Sequence, residues 1–174
     1  SENSLLQSKV LSNLISYRIS NKKLPMLILE NDEILKHRKS FSARLAAVLG
    51  FMKHGRDVKF ILNKENKIKI DDFKEYLLKY KNSKIIIFGF TFIVWQNLIL
   101  EFKKNNYRPN LSNIILIHGG GWKKLTDLEI NNNQFKKILK MKMNIKEIIN
   151  YYGMIEQIGS IFFECEKGYF HTSM

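Results

Sequence analysis

The sequence of 174 residues contains a single cysteine, Cys165, and therefore cannot form an internal disulfide. Disulfides persist in oxidising compartments, so a lone cysteine favours a reducing one, and we expect the cytoplasm. Long apolar runs are also missing. The longest, residues 84–96, is shorter than the roughly 20 residues that span a bilayer, and Gly89 and Thr91 interrupt it. The N-terminus lacks the basic-then-apolar order of a secretory signal. We expect no membrane partner.

Acidic residues are few, since 16 Asp and Glu stand against 29 Lys and Arg and give a net charge of +13. Such an excess can indicate a nucleic-acid or polyanionic partner. The lysines are dispersed among many Asn and Ile residues, and the sequence has no basic run of five or more residues and no zinc-finger or RNP-like motif. We attribute the charge to compositional bias and expect no nucleic-acid partner.

Short apolar runs alternate with amphipathic stretches through most of the chain. Helices are predicted over 4–15, over 40–49 with Gly50 as the C-terminal stop, from a cap at Asp71 and Asp72, and over 92–104 and 132–142. Strands are predicted at 26–29, 58–62, 85–88 and 114–117, before a fifth strand and a short C-terminal hairpin. Apolar strands alternating with helices predict an α/β fold whose mostly parallel sheet has helices on both faces. Without repeats or linkers, we expect one domain over residues 1–174.

Two loops follow buried strands, where ligands bind in parallel sheets. They are Gly89-Phe90-Thr91 and the segment 118–124, which contains three consecutive glycines. Glycines cost conformational entropy, but they let a ligand approach the backbone, whose N–H groups can face an oxyanion or a phosphate. A tight strand-to-helix crossing is the structural alternative.

A third segment, 151–157, follows the fifth strand and combines aromatic residues, a glycine and one carboxylate. An aromatic ring can stack on a base, and a carboxylate can hold a divalent metal ion. A plain turn between two strands has the same composition.

The segment His118-Gly119-Gly120-Gly121-Trp122 is similar to the oxyanion-hole motif of α/β-hydrolase esterases. That chemistry needs a G-x-S-x-G elbow downstream. The sequence has none, because Phe162 stands where the second glycine after Gly159-Ser160 is required. The esterase hypothesis therefore stays a minor alternative.

A cysteine nucleophile or a structural metal site has little support. Glu164 and Glu166 flank Cys165, and their charges are expected to raise the pKa of its thiol. The four histidines show no H-x-x-x-H spacing, and C-x-x-C is absent.

Several segments together resemble the acyl-protein synthetases of the LuxE family. They are Ser42-Ala43-Arg44, 88–92, 118–125, 152–157 with Gly159-Ser160, and 164–171, so the resemblance extends from about Pro25 to the C-terminus. This family is related to the adenylate-forming ligases, including phenylacetate–coenzyme A ligase. The resemblance implies activation of a carboxylic (fatty) acid by MgATP to an acyl-adenylate. It also implies transfer of the acyl group to a protein thiol, such as that of an acyl reductase or an acyl carrier protein.

The resemblance also implies roles for individual residues. Glu156 would hold Mg²⁺ at the phosphate oxygens and act in catalysis, and Tyr152 would pack against adenine beside Gly153 and Met154. The glycine loop would form the wall where adenine and the acyl group meet, and the neighbouring strand end would line the acid-binding pocket. The loop residues are Gly119, Gly120 and Gly121, and the substrate-binding residues are Gly89, Phe90, Thr91, His118 and Trp122.

The sequence also departs from the adenylate-forming pattern. Ile155 stands where these enzymes commonly carry a threonine that meets the α-phosphate, although acyl-protein synthetases tolerate an apolar residue there. A phosphate loop of the S-G-T-T-G kind, the ribose-binding Asp and the C-terminal domain with its catalytic Lys are missing. We therefore expect a partial domain that carries only part of the site. A non-catalytic nucleotide- or protein-binding α/β domain is the main alternative.

Overall fold

A mixed sheet of seven strands forms the centre of the fold. The computed structural model describes residues 2–36, 42–120, 122, 125, 128–153 and 161–172. The strands in chain order are β1 (Leu24–Ile28), β2 (Gly55–Phe60), β3 (Ile85–Phe90), β4 (Ile114–Gly119), β5 (Glu147–Gly153), β6 (Ile161–Glu164) and β7 (Phe170–His171).

The spatial order of the strands is β2-β1-β3-β4-β5-β6-β7. The first five strands of this order pair in parallel. The last two add an antiparallel hairpin at one side, with Tyr152 opposite Phe162 and Glu164 opposite Phe170. All five parallel strands therefore end at one edge of the sheet.

Helices cover both faces of the sheet, as its continuous apolar strands require. They are α1 (Glu2–Arg18), α2 (Ala43–Met52), α3 (Ile70–Lys79), α4 (residues 91–104) and α5 (Asn132–Met143), with a short 3₁₀ turn at Asp32–Leu35. Helices α1 and α2 pack on one face, and α3, α4 and α5 pack on the other. Among the described helices, none is both long and apolar enough to cross a membrane.

Strand β3 shows why its sequence is apolar at every position. Ile85 and Ile87 are buried against α3, α4 and α5, whereas Ile86 and Phe88 are buried against α1 and α2. Successive strand residues point to opposite faces, so a strand covered on both sides needs an uninterrupted apolar run. The predicted α/β class, the mostly parallel sheet and the C-terminal hairpin are confirmed.

Two predictions about helix ends differ from the structure. Helix α2 continues through Gly50 to Met52, so Gly50 is not the predicted stop. Helix α3 begins at Ile70 after Lys69, and the predicted caps Asp71 and Asp72 lie in its first turn, where carboxylates favour the positive end of the helix dipole.

Helix α4 begins at Thr91 and contains a π-helical segment that the sequence pattern did not predict. This segment, Trp95–Glu101, lies between two α-helical pieces. The side chain of Asn97 donates to the carbonyl of Ile93 at 3.0 Å. That carbonyl would otherwise accept the backbone N–H of Asn97 in an α-helix, so the side chain competes with the helical ladder. The carboxamide oxygen of Asn97 also accepts the backbone N–H of Ile68.

Candidate functional site

The carboxyl ends of β3 and β4 bring two of the predicted loops together. Gly89 lies opposite His118 in the parallel register, and Phe90 lies opposite Gly119. Strand β5 extends to the same edge, because His118 lies opposite Asn150. Residues 89–91 and 118–120 are therefore neighbours, as the parallel-sheet prediction requires.

The side chain of His118 is completely buried at this edge. Its Nδ1 lies 3.0 Å from Oγ1 of Thr91, a buried residue in the first turn of α4. No described residue forms a hydrogen bond with Nε2. The first residue of α4 thus contacts the first side chain of the glycine-rich segment after β4.

Aromatic rings surround the imidazole of His118. Its centroid lies 4.6 Å from that of Phe135 on α5 and 5.9 Å from that of Trp122. Burial in these surroundings, with a smaller contribution from Lys136, lowers the pKa of His118 to about 3. The ring is neutral at physiological pH because the folded protein does not solvate an imidazolium at this position.

Gly119 lies directly against Tyr151 of the neighbouring strand β5. A Cβ built on Gly119 would lie 2.3 Å from the backbone oxygen of Tyr151 and 2.5 Å from its ring carbon Cδ1. Real Cβ atoms do not approach other heavy atoms this closely. The first glycine of the loop is therefore required by packing against Tyr151, whose burial raises its pKa to about 12.

Gly120 lies above Phe90 and has a left-handed backbone conformation, with φ of 63°. Such a φ is unfavourable for residues with a Cβ, which explains a glycine here. The guanidinium of Arg44 lies 5.7 Å from the centroid of Phe90 and forms an ion pair with Glu30, which is buried. Arg44 therefore connects α2 to this edge of the sheet.

Core side chains fill the space that a side chain at Gly89 would occupy. A Cβ on Gly89 would lie 2.9 Å from Cβ of Leu29 and 3.1 Å from Cγ2 of Val94. The predicted substrate-binding stretch 89–91 thus divides into three environments. Gly89 faces the core, Phe90 faces Gly120, and Thr91 contacts His118.

Tyr152 lies near the end of β5, and half of its surface is exposed. Its ring centroid is 6.4 Å from that of Phe162 and 6.4 Å from that of Phe170, both on the antiparallel hairpin. An exposed ring supported by two others offers a stacking surface for a planar group. Gly153 follows as the last residue of β5, paired with Ile161.

Gly121, Met154 and Glu156 lie outside the described residues, so their predicted roles stay predictions. Within the described part of the chain, no group of three or more His, Cys, Asp or Glu side chains is placed to hold a metal ion.

Comparison with known protein families gives one result. The family model described as "Acyl-protein synthetase, LuxE" matches residues 4–174. The chain belongs to the acyl-protein synthetase family, LuxE. No curated protein and no solved structure shows significant similarity to the chain. Membership of this family supports ligase activity of the acyl-protein synthetase type.

Sequence reasoning missed a buried polar group that connects α5 of this LuxE-family chain to the hairpin. Glu164 is buried and accepts from Lys136 Nζ at 2.8 Å and from Asn132 Nδ2 at 2.9 Å. Lys136 follows Phe135, the ring beside His118. The carboxylate of Glu164 ends an otherwise apolar strand, 161–164. This pattern could have indicated that the carboxylate is buried and paired with a polar or cationic side chain.

The prediction for the Cys165 thiol is wrong in direction. Partial desolvation raises the pKa of the thiol. Hydrogen bonds from backbone groups of Tyr169 and Lys167 lower it, and together the lowering effects outweigh desolvation, so the pKa lies below its ordinary value. The charges of Glu164 and Glu166 are not among the main causes of this shift, to which the charge of Arg18 contributes.

Three grooves lie away from the glycine-rich edge. The first, about 700 Å³, lies between α5 and the strands β5 and β6, and six basic and three acidic side chains line it. The second, about 770 Å³, lies between α1 and the hairpin, and the third, about 510 Å³, lies beside the end of α4. None of their linings includes Tyr152 or the described residues of 89–91 and 118–122. We place the candidate site at the carboxyl ends of the strands because residues 89–91 and 118–120 meet there. The grooves, in contrast, are lined mainly by exposed side chains.

Proposed function

We propose that this chain contributes the nucleotide- and acid-binding edge of an ATP-dependent acyl-protein synthetase. The family match over residues 4–174 is the observation that carries the proposal. The meeting of residues 89–91 and 118–120 at the strand ends supports it, because this edge is where parallel sheets bind nucleotides and small substrates.

The proposed reaction has two steps. A carboxylate oxygen of the acid attacks the α-phosphorus of ATP, and the bond from that phosphorus to the bridging oxygen breaks to release pyrophosphate. The thiolate of an acceptor protein then attacks the acyl carbon, and the acyl C–O bond breaks to give a thioester and AMP. Both steps depend mainly on positioning and on stabilisation of developing charge.

The described residues fit MgATP in part. The exposed ring of Tyr152, supported by Phe162 and Phe170, suits an adenine ring. The glycine loop presents a backbone that a ligand can approach, since Gly119 and Gly120 carry no Cβ. Glu156 would hold Mg²⁺, since carboxylate oxygens are ligands that this ion prefers. The bound ion would neutralise charge on the phosphate oxygens.

The acceptor would be a protein thiol, such as that of an acyl reductase or an acyl carrier protein, and the acid a fatty acid. These identities follow from the family resemblance. A chain that binds nucleotide or protein without activating an acid is the alternative, and acid-dependent ATP–pyrophosphate exchange distinguishes the two.

We expect Glu156→Ala to abolish Mg²⁺-dependent nucleotide binding in the protein produced from its complete reading frame, while the fold is retained. Binding is measured by titrating MgATP calorimetrically, and the fold is checked by circular dichroism. The control is Glu166→Ala, which removes an exposed carboxylate outside the candidate site. Unchanged MgATP affinity and unchanged exchange in Glu156→Ala would contradict the metal assignment.

A further inference from the structure

A basic groove lies at the edge of the sheet opposite to the candidate site. Its volume is about 700 Å³, and it is lined by the second half of α5, the start of β5 and residues 164–168 around the end of β6. Glu147, the first residue of β5, is part of this lining. Parallel strands begin at the edge opposite to the one where they end, so the groove is separate from the glycine-rich edge.

Most of the positive charge in this groove is unpaired. Three carboxylates belong to the lining. Glu164 already pairs with Lys136 at 2.8 Å, and Glu147 pairs at 2.6 Å with Lys84, which lies outside the lining. The third carboxylate, that of Glu166, is exposed. Five basic side chains of the lining form no ion pair with any described carboxylate, namely Arg18, Lys137, Lys140, Lys146 and Lys167.

The guanidinium of Arg18 adds a second unsatisfied feature. Its Nε is buried and has no hydrogen-bond partner among the described residues. Buried polar atoms in proteins are usually paired, because an unpaired one has lost its water without compensation. An anionic oxygen is the acceptor that suits such a donor best.

The groove also contains an open strand edge. Residues 147–150 of β5 pair with β4 on one side. On the other side, the described pairing with β6 begins only at Tyr151. Ile148 and Ile149 line the groove along this open stretch. A strand edge without a partner offers backbone N–H and C=O groups to an extended polypeptide.

These features favour an acidic polypeptide over other occupants. The described residues that line the groove include no aromatic ring, whereas single-stranded nucleic acid binds by stacking its bases on such rings. A second copy of this chain carries a net charge of +13, and lysines beside a strand edge oppose pairing with a strand of like charge. The carboxylates of an acidic segment complement the five cations, and its backbone complements the strand edge.

We propose that this groove docks an extended acidic segment of a partner protein. The segment adds a strand to the open edge of β5 and places its carboxylates against Arg18 and the surrounding lysines. The inference goes beyond the proposed function, because the lining includes none of the described candidate-site residues and binding here requires neither ATP nor an acid substrate.

Two double variants with the same change in net charge test the electrostatic part of the proposal. The probe is an acetylated octapeptide that alternates Glu and Val, titrated calorimetrically at low ionic strength. Lys137→Gln with Lys140→Gln removes two cations of the groove, and we expect the Kd to rise about three- to tenfold. Lys67→Gln with Lys81→Gln is the control, because both lysines are exposed and lie outside all three grooves. Its Kd should stay within about twofold of that of the parent protein.

Amide hydrogen exchange, followed by mass spectrometry, tests where the peptide binds and whether it adds a strand. We expect the octapeptide to slow exchange of the backbone amides in residues 147–150, because strand addition pairs those that face the groove. Equal Kd changes in the two double variants, or unchanged exchange of these amides at saturation, would overturn the proposal. An oligothymidylate of eight nucleotides that binds more tightly than the peptide and protects the same amides would also overturn it, in favour of a nucleic-acid site.

Discussion

At the scale of single residues, the candidate site depends on side chains that are small or neutral because of their surroundings. Gly119 lacks a Cβ where Tyr151 leaves no room, and His118 lacks a charge where aromatic rings exclude water. The missing Cβ of Gly119 and the missing charge of His118 both shape the glycine-rich edge of the sheet, and each can be tested by substitution.

Gly119→Ala should destabilise the protein, because the new Cβ would overlap the backbone oxygen of Tyr151. A shift of backbone in a packed interior typically costs about 1–3 kcal/mol, and we expect a loss in this range in chemical denaturation. Gly50→Ala is the control, because Gly50 is helical and a Cβ built on it would lie 3.5 Å from Cδ2 of Leu11, an ordinary contact distance. That variant should gain about 0.5–1 kcal/mol. Equal changes in the free energy of unfolding of the two variants would contradict the close contact between Gly119 of β4 and Tyr151 of β5.

His118 should make stability depend on pH in the acid range. The unfolded imidazole takes up a proton near pH 6.5, whereas the folded one does so only near pH 3. The unfolded chain therefore binds more protons between these values, and the free energy of unfolding falls as the pH falls through this interval. The slope from one such group is about 1.4 kcal/mol per pH unit.

His118→Gln should reduce this slope between pH 6.5 and pH 4, measured by urea denaturation at several pH values. Lys136 is the charged residue that acts on His118. The pKa of His54 is also lowered, but His54 is present in both proteins and its contribution cancels. Identical slopes in the two proteins would mean that His118 titrates normally.

At the scale of secondary-structure elements, α2 is connected to the candidate site through Arg44. This residue pairs with buried Glu30 after β1 and lies over Phe90 at the end of β3. The segment Ser42-Ala43-Arg44 is one of those that resemble the acyl-protein synthetases. Ser42 caps α2 by accepting the backbone N–H of Leu45, and Arg44 follows in the first turn.

Arg44→Met should destabilise the protein by about 1–3 kcal/mol, because it leaves the buried Glu30 carboxylate without its cation. Lys64→Met is the control. Lys64 also pairs with a carboxylate, Glu33, but its side chain is 78% exposed, so its loss should change stability by less than about 0.5 kcal/mol. Equal losses in thermal or urea denaturation would contradict the role assigned to Arg44.

The sequence predicted most elements because hydrophobic periodicity determines them. The apolar run 85–88 predicted β3, and the same criterion predicted β4. The details that failed depend on tertiary contacts. Helix α2 continues past Gly50 to Phe51, whose buried ring packs against aromatic rings of β3, β5 and β6. The π-helical segment of α4 contains Asn97, whose partner Ile68 is 29 residues away in sequence.

The sequence predicted which loops of the candidate site are neighbours, but it did not predict which of their side chains are in contact. Parallel topology placed residues 89–91 beside 118–120, as the register of β3 and β4 has them. The pairing of Thr91 with His118 and the filling of the space at Gly89 depend on side-chain packing, which the sequence does not specify. Glu30 was not predicted at all, because a lone carboxylate after an apolar strand is most often exposed.

At the scale of the whole molecule, the family match agrees with the kinds of residue found at the carboxyl edge of the sheet. The match to the LuxE family extends over residues 4–174. His118 and the glycine loop lie at the carboxyl end of β4, and the exposed ring of Tyr152 lies at that of the neighbouring strand β5. A single domain over residues 1–174 remains our prediction for the organisation of this protein.

Isotope transfer tests the central claim, activation of an acid at the α-phosphorus of ATP, most directly. The protein produced from its complete reading frame is incubated with carboxyl-¹⁸O-labelled dodecanoate and MgATP, and hydroxylamine replaces the acceptor thiol. We predict acyl hydroxamate together with AMP that carries one ¹⁸O atom, because the acid oxygen bonds to the α-phosphorus and remains there when the acyl C–O bond breaks. Hydroxamate accompanied by ADP, or by AMP without the label, would contradict acyl-adenylate formation.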